Sequence, residues 1–137
     1  RAEVQHLMTH DTISLVGIVL YGYHGARPEE RTLGQRFLVD VDLHTDLQLA
    51  SRSDDLTNTV NYSEVYKIVE EIIGGDPVNL LETLAERIAK AVLARFSLVH
   101  ETRVRVAKPS VAIAGSVLRE AAVSVVRSRT TPTKRLS

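Results

Sequence analysis

The 137-residue chain has no cysteine and no tryptophan, one methionine, and no charge excess of either sign, with 17 Lys plus Arg against 17 Asp plus Glu. The missing cysteine excludes disulfides, cysteine-ligated zinc and a thiol nucleophile. The charge balance argues against a general nucleic-acid surface, which needs a basic excess. Aromatics make up only 4%, with two Phe, so the core must be built from Val, Leu, Ile and Ala. No apolar run approaches the roughly 18–20 residues of a membrane span. The first ten residues lack the apolar segment of a secretory signal. A cytoplasmic protein with neither a membrane nor a nucleic-acid partner is the expectation. The five histidines show no metal-ligand spacing: His6 and His10 are four apart, with no third ligand nearby in the sequence.

What is present is 44% hydrophobic residues in a length usual for one domain. Residues 1–10 are expected to be a flexible lead, 11–127 the folded domain and 128–137 a flexible basic tail. A first strand is predicted from about Thr12 to Tyr21. The second strand is the cleanest: Phe37, Val39, Val41 and Leu43 alternate with Arg36, Leu38, Asp40, Asp42 and His44, which gives one apolar face. Asn61-Tyr62-Ser63-Glu64 fits a capping box in which Glu64 reaches back to the helix start. Val65, Val69 and Ile72 follow at helical spacing, and Gly74-Gly75 is expected to end that helix in a left-handed cap. A second helix is predicted from about Leu80 to Phe96, burying Leu81, Leu84, Ile88 and Val92. Arg103 to Val106 and Ala121 to Arg127 read as the last two strands.

The order is ββααββ, an α+β fold with a four-stranded antiparallel sheet and two helices on one face. Its other face would carry Asp40, Asp42, Arg103 and Arg105, where opposite charges on neighbouring strands can pair. Two exposed sheet edges are normally blunted or paired, so a homo-oligomer joined edge to edge is expected. Three connections exceed the usual loop length of about 2–6 residues: Gly22 to Gln35, Gln48 to Val60, and Lys108 to about Leu118. Connections of that kind commonly carry function.

Taken singly, the polar residues near these connections have ordinary readings. Glu82 completes a capping box, Asn79-Leu80-Leu81-Glu82. Lys108 is a solvated strand end before a proline turn. Tyr62 staples the start of its helix. Glu30, between Glu29 and Arg31, is a solvated loop charge, and His24 is a structural loop histidine.

Taken together, they form a pattern. Tyr21-Gly22-Tyr23-His24-Gly25-Ala26 is followed by Glu30 and Gly34-Gln35, then by Val60-Asn61-Tyr62, Asn79-Leu80-Leu81-Glu82 and Ala107-Lys108-Pro109. In this order and spacing the chain, from about Asp11 to Arg127, resembles the dihydroneopterin aldolase family, retro-aldol lyases of folate biosynthesis. The resemblance implies the tunnelling fold, in which four subunits join their sheets into a barrel with helices outside, and in many members two such rings stack into an octamer. It implies a small-molecule pterin substrate, no cofactor and no metal. Other tunnelling-fold enzymes need a zinc-binding His triad or Cys, for which this chain offers no match.

The resemblance also implies roles. Glu82 would accept paired hydrogen bonds from the pterin 2-amino group and N3–H, with the backbone of Leu81 beside the ring. Tyr62, from a neighbouring subunit, would stack on the ring and relay a proton. Glu30 would hold the side-chain hydroxyls, with Ala26 as a backbone contact. Lys108 would act as the base on the 2′-hydroxyl while C1′–C2′ breaks. The implied reaction turns 7,8-dihydroneopterin into 6-hydroxymethyl-7,8-dihydropterin and glycolaldehyde, with 2′-epimerisation as a side activity. Two other readings stay open, a dihydroneopterin triphosphate epimerase and a catalytically silent pterin- or purine-binding oligomer. The family's stretch Lys-Pro-x-Ala-Pro-Ile-Pro-Gly here reads Lys108-Pro109-Ser110-Val111-Ala112-Ile113-Ala114-Gly115. Alanine at the two proline positions leaves φ unfixed, which bears on how Lys108 is placed.

Overall fold

The computed structural model describes residues 11–109, 111 and 113–129. Within them the chain forms β1 (Thr12–Gly22), α1 (Pro28–Leu33), β2 (Gln35–His44), α2 (Gln48–Ser53), a 3-10 turn (Leu56–Asn58), α3 (Tyr62–Ile73), α4 (Leu81–Arg95), β3 (Glu101–Lys108) and β4 (Ala121–Ser128). The four strands make one sheet in the order β1-β2-β3-β4, with every neighbouring pair antiparallel. The expected lead lies outside the described residues, as does the tail beyond Arg129. The last strand runs to Ser128, one residue past its predicted end.

The core follows from the alternation in β2. Phe37, Val39, Val41 and Leu43 are all fully buried, because a central strand covered on one face must point every second side chain inward. Val104 and Val106 of β3 join them. Over this face lie Val65, Val69 and Ile73 of α3 and Leu84, Ala85, Ile88, Ala89 and Val92 of α4. With few aromatics available, small and branched residues bring the helices close to the sheet, and Ala85 and Ala89 leave room for that approach.

Several local expectations need correction. The two long connections after β1 and β2 each hold a short helix, α1 and α2. Neither buries a residue, so neither has the apolar period that would reveal it. In α3, Asn61 does cap, accepting from the Ser63 amide at 3.0 Å, but Glu64 bonds to Arg95 instead of reaching back. Ile73 rather than Ile72 completes the fully buried stripe. Gly74 keeps right-handed dihedrals, φ −83° and ψ 0°. The box at Asn79 does not form: Leu80 is the N-cap of α4 and no side chain caps it. On the polar face, Asp40 stands opposite Arg105 and Asp42 opposite Arg103. The Asp40 carboxylate, however, accepts from the Gly17 amide at 2.7 Å, Asp42 from Ser14 Oγ at 2.7 Å, and Arg105 pairs with Glu120. The Gly17 contact sits in a bulge of the edge strand β1, where the register shifts between Leu15 and Ile18 and Gly17 has φ +75°. An L side chain resists that conformation.

Replacing fully buried Ile88 with Ala is expected to cost about 2–5 kcal/mol, the lost transfer energy plus a cavity. The check is the urea midpoint at fixed protein concentration.

Candidate active site

The connection after β1 is anchored by a histidine. His24 is buried and its ring meets Phe37 edge-on at 5.3 Å. Its Nδ1 accepts from the Val78 amide at 3.1 Å, so the proton must sit on Nε2, which donates to the Ile73 carbonyl at 2.6 Å. Burial pulls the His24 pKa down, with Arg31 and Arg87 adding to this and the Ile73 carbonyl opposing it. A neutral ring engaged at both nitrogens is a structural histidine, as the sequence reading expected. The next residue, Gly25, adds a backbone bond from its amide to the Val78 carbonyl at 2.8 Å. The loop is thereby fixed to the α3–α4 connection.

Pro28 then opens α1 at a position where no amide donor is needed. Glu30 lies in the first turn, its Oε1 accepting from the Arg27 amide at 3.2 Å. Its Oε2 accepts from Gln35 Nε2 at 3.1 Å and from Lys108 Nζ at 2.7 Å. Lys108 comes from the last position of β3, 78 residues away in sequence. Both side chains are largely shielded, with 19% of Lys108 and 14% of Glu30 exposed. Burial alone would raise the Glu30 pKa, but the bonds from Lys108, Gln35 and the Arg27 amide outweigh it and hold the carboxyl below its ordinary value. Gly25 makes room for this carboxylate: a Cβ there would stand 2.3 Å from Glu30 Oε1.

Glu30 also lines a cleft of about 470 Å³ with Tyr21, Glu29, Gly34, Gln35 and Pro109. That volume is in the range of roughly 300–1,000 Å³ usual for small-molecule sites. Ala26 is exposed beside Gly25 at the loop's tip. Leu81 and Glu82 are the first two residues of α4. The Glu82 side chain is exposed, and among the described residues it has neither a hydrogen bond nor an ion pair. The helix dipole favours an anion there, and the carboxylate is left free to accept from a ligand.

Tyr62 does not join this group within one chain. It is the first residue of α3, 62% exposed, and lines a second cleft of about 670 Å³ with Ile13, Leu56, Val60 and Asn61. Ile13 and Tyr21, which line the two clefts, are eight residues apart on β1, a rise of about 26 Å. No single small ligand spans that distance. Among the described residues, no three His, Asp or Glu side chains gather as a metal shell. The sequence reading passed over Arg31, whose guanidinium bonds to Gly25 and Asn79. It also gave Gln35 no role. Gln35 follows Gly34, whose φ of +72° and close approach to Tyr21 and Tyr23 admit only glycine, and that turn is the one local signal of a specialised position.

Fold and site together set a shielded Lys–Glu pair beside a cleft of small-molecule size on an open α+β sheet. The family model for dihydroneopterin aldolase (FolB) matches residues 13–126. Dihydroneopterin aldolase 1 of Arabidopsis thaliana is 44% identical over 124 residues, covering 90% of this chain and 85% of that protein. Dihydroneopterin aldolase of Bacillus subtilis (strain 168) is 44% identical over 119 residues, covering 87% and 98%. The crystal structure of E. coli dihydroneopterin aldolase in complex with neopterin aligns with a TM-score of 0.78 at 25% identity, covering 86% of this chain and 99% of that one. The chain belongs to the dihydroneopterin aldolase family, whose members are lyases.

Because folding lowers the Glu30 pKa, the unfolded chain binds the extra proton as pH falls through the ordinary value of 4.5. Stability from the Lys108 pair is therefore complete above that pH and is lost as pH falls through the folded-state value. Glu30→Gln should flatten this acid limb, measured as urea midpoint against pH. Gly25→Ala should displace the carboxylate and flatten the same limb.

Proposed function

We propose that this protein cleaves 7,8-dihydroneopterin with Lys108 and Glu30 as the proton-handling pair and Glu82 as the pterin anchor. The observation that carries the reading is the shielded 2.7 Å contact between Lys108 Nζ and Glu30 Oε2 beside the cleft. A lysine acts as a base in its neutral form, and the Glu30 carboxylate, kept ionised by its donors, orients Nζ toward the cleft. Glu82, exposed and unengaged at the start of α4, offers two oxygens to the neighbouring N–H groups of a pterin edge. The Leu81 backbone lies alongside, and the backbone at Ala26 faces the same substrate.

The chemistry follows from the substrate. Removing the proton from the 2′-hydroxyl lets that oxygen form a carbonyl while C1′–C2′ breaks. The bonding pair flows into the conjugated imine of the dihydropterin ring, and glycolaldehyde departs. Reprotonation at C1′ gives 6-hydroxymethyl-7,8-dihydropterin. Returning the aldehyde on its other face before it leaves would invert C2′, which makes 2′-epimerisation a side activity of the same site.

Tyr62 completes the account in an oligomer. The two edge strands of the sheet, β1 and β4, suit a head-to-tail ring of subunits joined edge to edge. Such a ring, singly as a tetramer or stacked as an octamer, brings the Tyr62 cleft of one subunit to the Glu30–Lys108 cleft of the next. The tyrosine ring then covers the pterin face, and its phenol relays the proton to C1′.

Lys108→Ala should lower turnover by about 10²–10⁴-fold while pterin affinity is retained; full activity in that variant would overturn the mechanism. Mixing Lys108→Ala with Tyr62→Ala subunits after joint refolding should restore activity. About a quarter of the sites in a randomly mixed ring pair an intact lysine with an intact tyrosine. No recovery would place both residues in one subunit's site or outside it.

A further inference from the structure

We infer that Arg31 is a positioning residue that fixes the proton-handling arm of the site against the pterin anchor. The inference rests on the reaction proposed above. The arm is α1, which carries Glu30 and buries no residue, so apolar packing does not set its place. The anchor is the first turn of α4, a helix packed against β3 and β4 through its buried face. The anchor's helix is held by apolar packing and the arm mainly by polar contacts.

Arg31 bridges them. Its Nε donates to the Gly25 carbonyl at 2.9 Å, and its Nη2 donates to Asn79 Oδ1 at 2.5 Å. Asn79 lies two residues before Leu81 and three before Glu82. The Asn79 side chain, free because it does not cap α4, is thereby used to receive the arm. The base of the same junction is zipped by the Gly25 and Val78 backbones and by His24, and among the described residues Arg31 is the α1 side chain that hydrogen-bonds to the anchor segment. It is also an exposed arginine with no carboxylate in its ion-pair range among the described residues. Its charge is spent on two neutral oxygens from separate segments, a geometry that a planar two-directional donor suits and a lysine does not.

Cleavage needs the 2′-hydroxyl at the base and the ring on its anchor at once. A displacement of about 1 Å between the two can cost up to about a hundredfold in rate. Without Arg31 each half still binds its own part of the substrate, but the spacing between them is no longer held.

The test measures kcat, KM and thermal stability for wild type, Arg31→Ala, Arg31→Lys, Asn79→Ala and the Arg31→Ala/Asn79→Ala double variant. Affinity for a pterin lacking the hydroxylated side chain is measured alongside. Expected results are a kcat lowered about tenfold or more in Arg31→Ala, little recovery in Arg31→Lys, and unchanged affinity for the side-chain-free pterin. The double variant should be no slower than Arg31→Ala, because Asn79→Ala removes only the Arg31–Asn79 contact that Arg31→Ala has already removed. An unchanged kcat in Arg31→Ala overturns the inference. So does a fall in kcat matched by lost affinity for the side-chain-free pterin, since that marks a collapsed anchor. Multiplying effects in the double variant overturn it as well. Wild-type protein that releases no glycolaldehyde overturns the reaction and this inference together, whereas active wild type with an indifferent Arg31→Ala overturns this inference alone.

Discussion

The ion pair between Lys108 and Glu30 is the constraint on which the site depends. Two charges this well shielded are tolerated only when each satisfies the other and the remaining lone pairs find donors. Gln35 and the Arg27 amide supply those donors. Gly25 is glycine because the carboxylate occupies the space of its Cβ. The pair also ties the end of β3 to a helix that buries no residue of its own.

The sheet prepares this meeting. Antiparallel pairing of β2 with β3 runs from Leu38 opposite Ala107 to His44 opposite Glu101, which sets Lys108 beside the start of β2 and the connection before it. Helices α3 and α4 cover the apolar face, and their connection receives the β1 loop through His24 and Gly25. The segments that carry Glu82, Glu30 and Lys108 thus meet at one end of the sheet. Tyr62 is at the other end, beside Ile13.

Much of the architecture was legible in the sequence because burial writes a period into it. The alternation in Phe37–Leu43 and the stripe through Leu84, Ile88 and Val92 gave the sheet and the long helices directly. What stayed hidden had no period to show. Helices α1 and α2 bury nothing, so their residues read as loops. Asn79 read as a cap because the local pattern was right, but Arg31, 48 residues away in sequence, engages its side chain instead. Asp40 and Asp42 were placed on the correct face opposite the arginines, yet the bulge at Gly17 and the hydroxyl of Ser14 claimed their carboxylates. The meeting of Glu30 with Lys108 carries no local signal: a contact across 78 residues was reachable only through resemblance to a family.

The most direct test of the central claim is to incubate the purified protein with 7,8-dihydroneopterin and follow pterin products and glycolaldehyde together. The account predicts 6-hydroxymethyl-7,8-dihydropterin and glycolaldehyde in equal amounts, with C2′-inverted substrate as a minor species. Tight binding of the substrate with neither product formed would contradict it, because the Lys108–Glu30 pair would then be holding a strand to a helix and moving no proton.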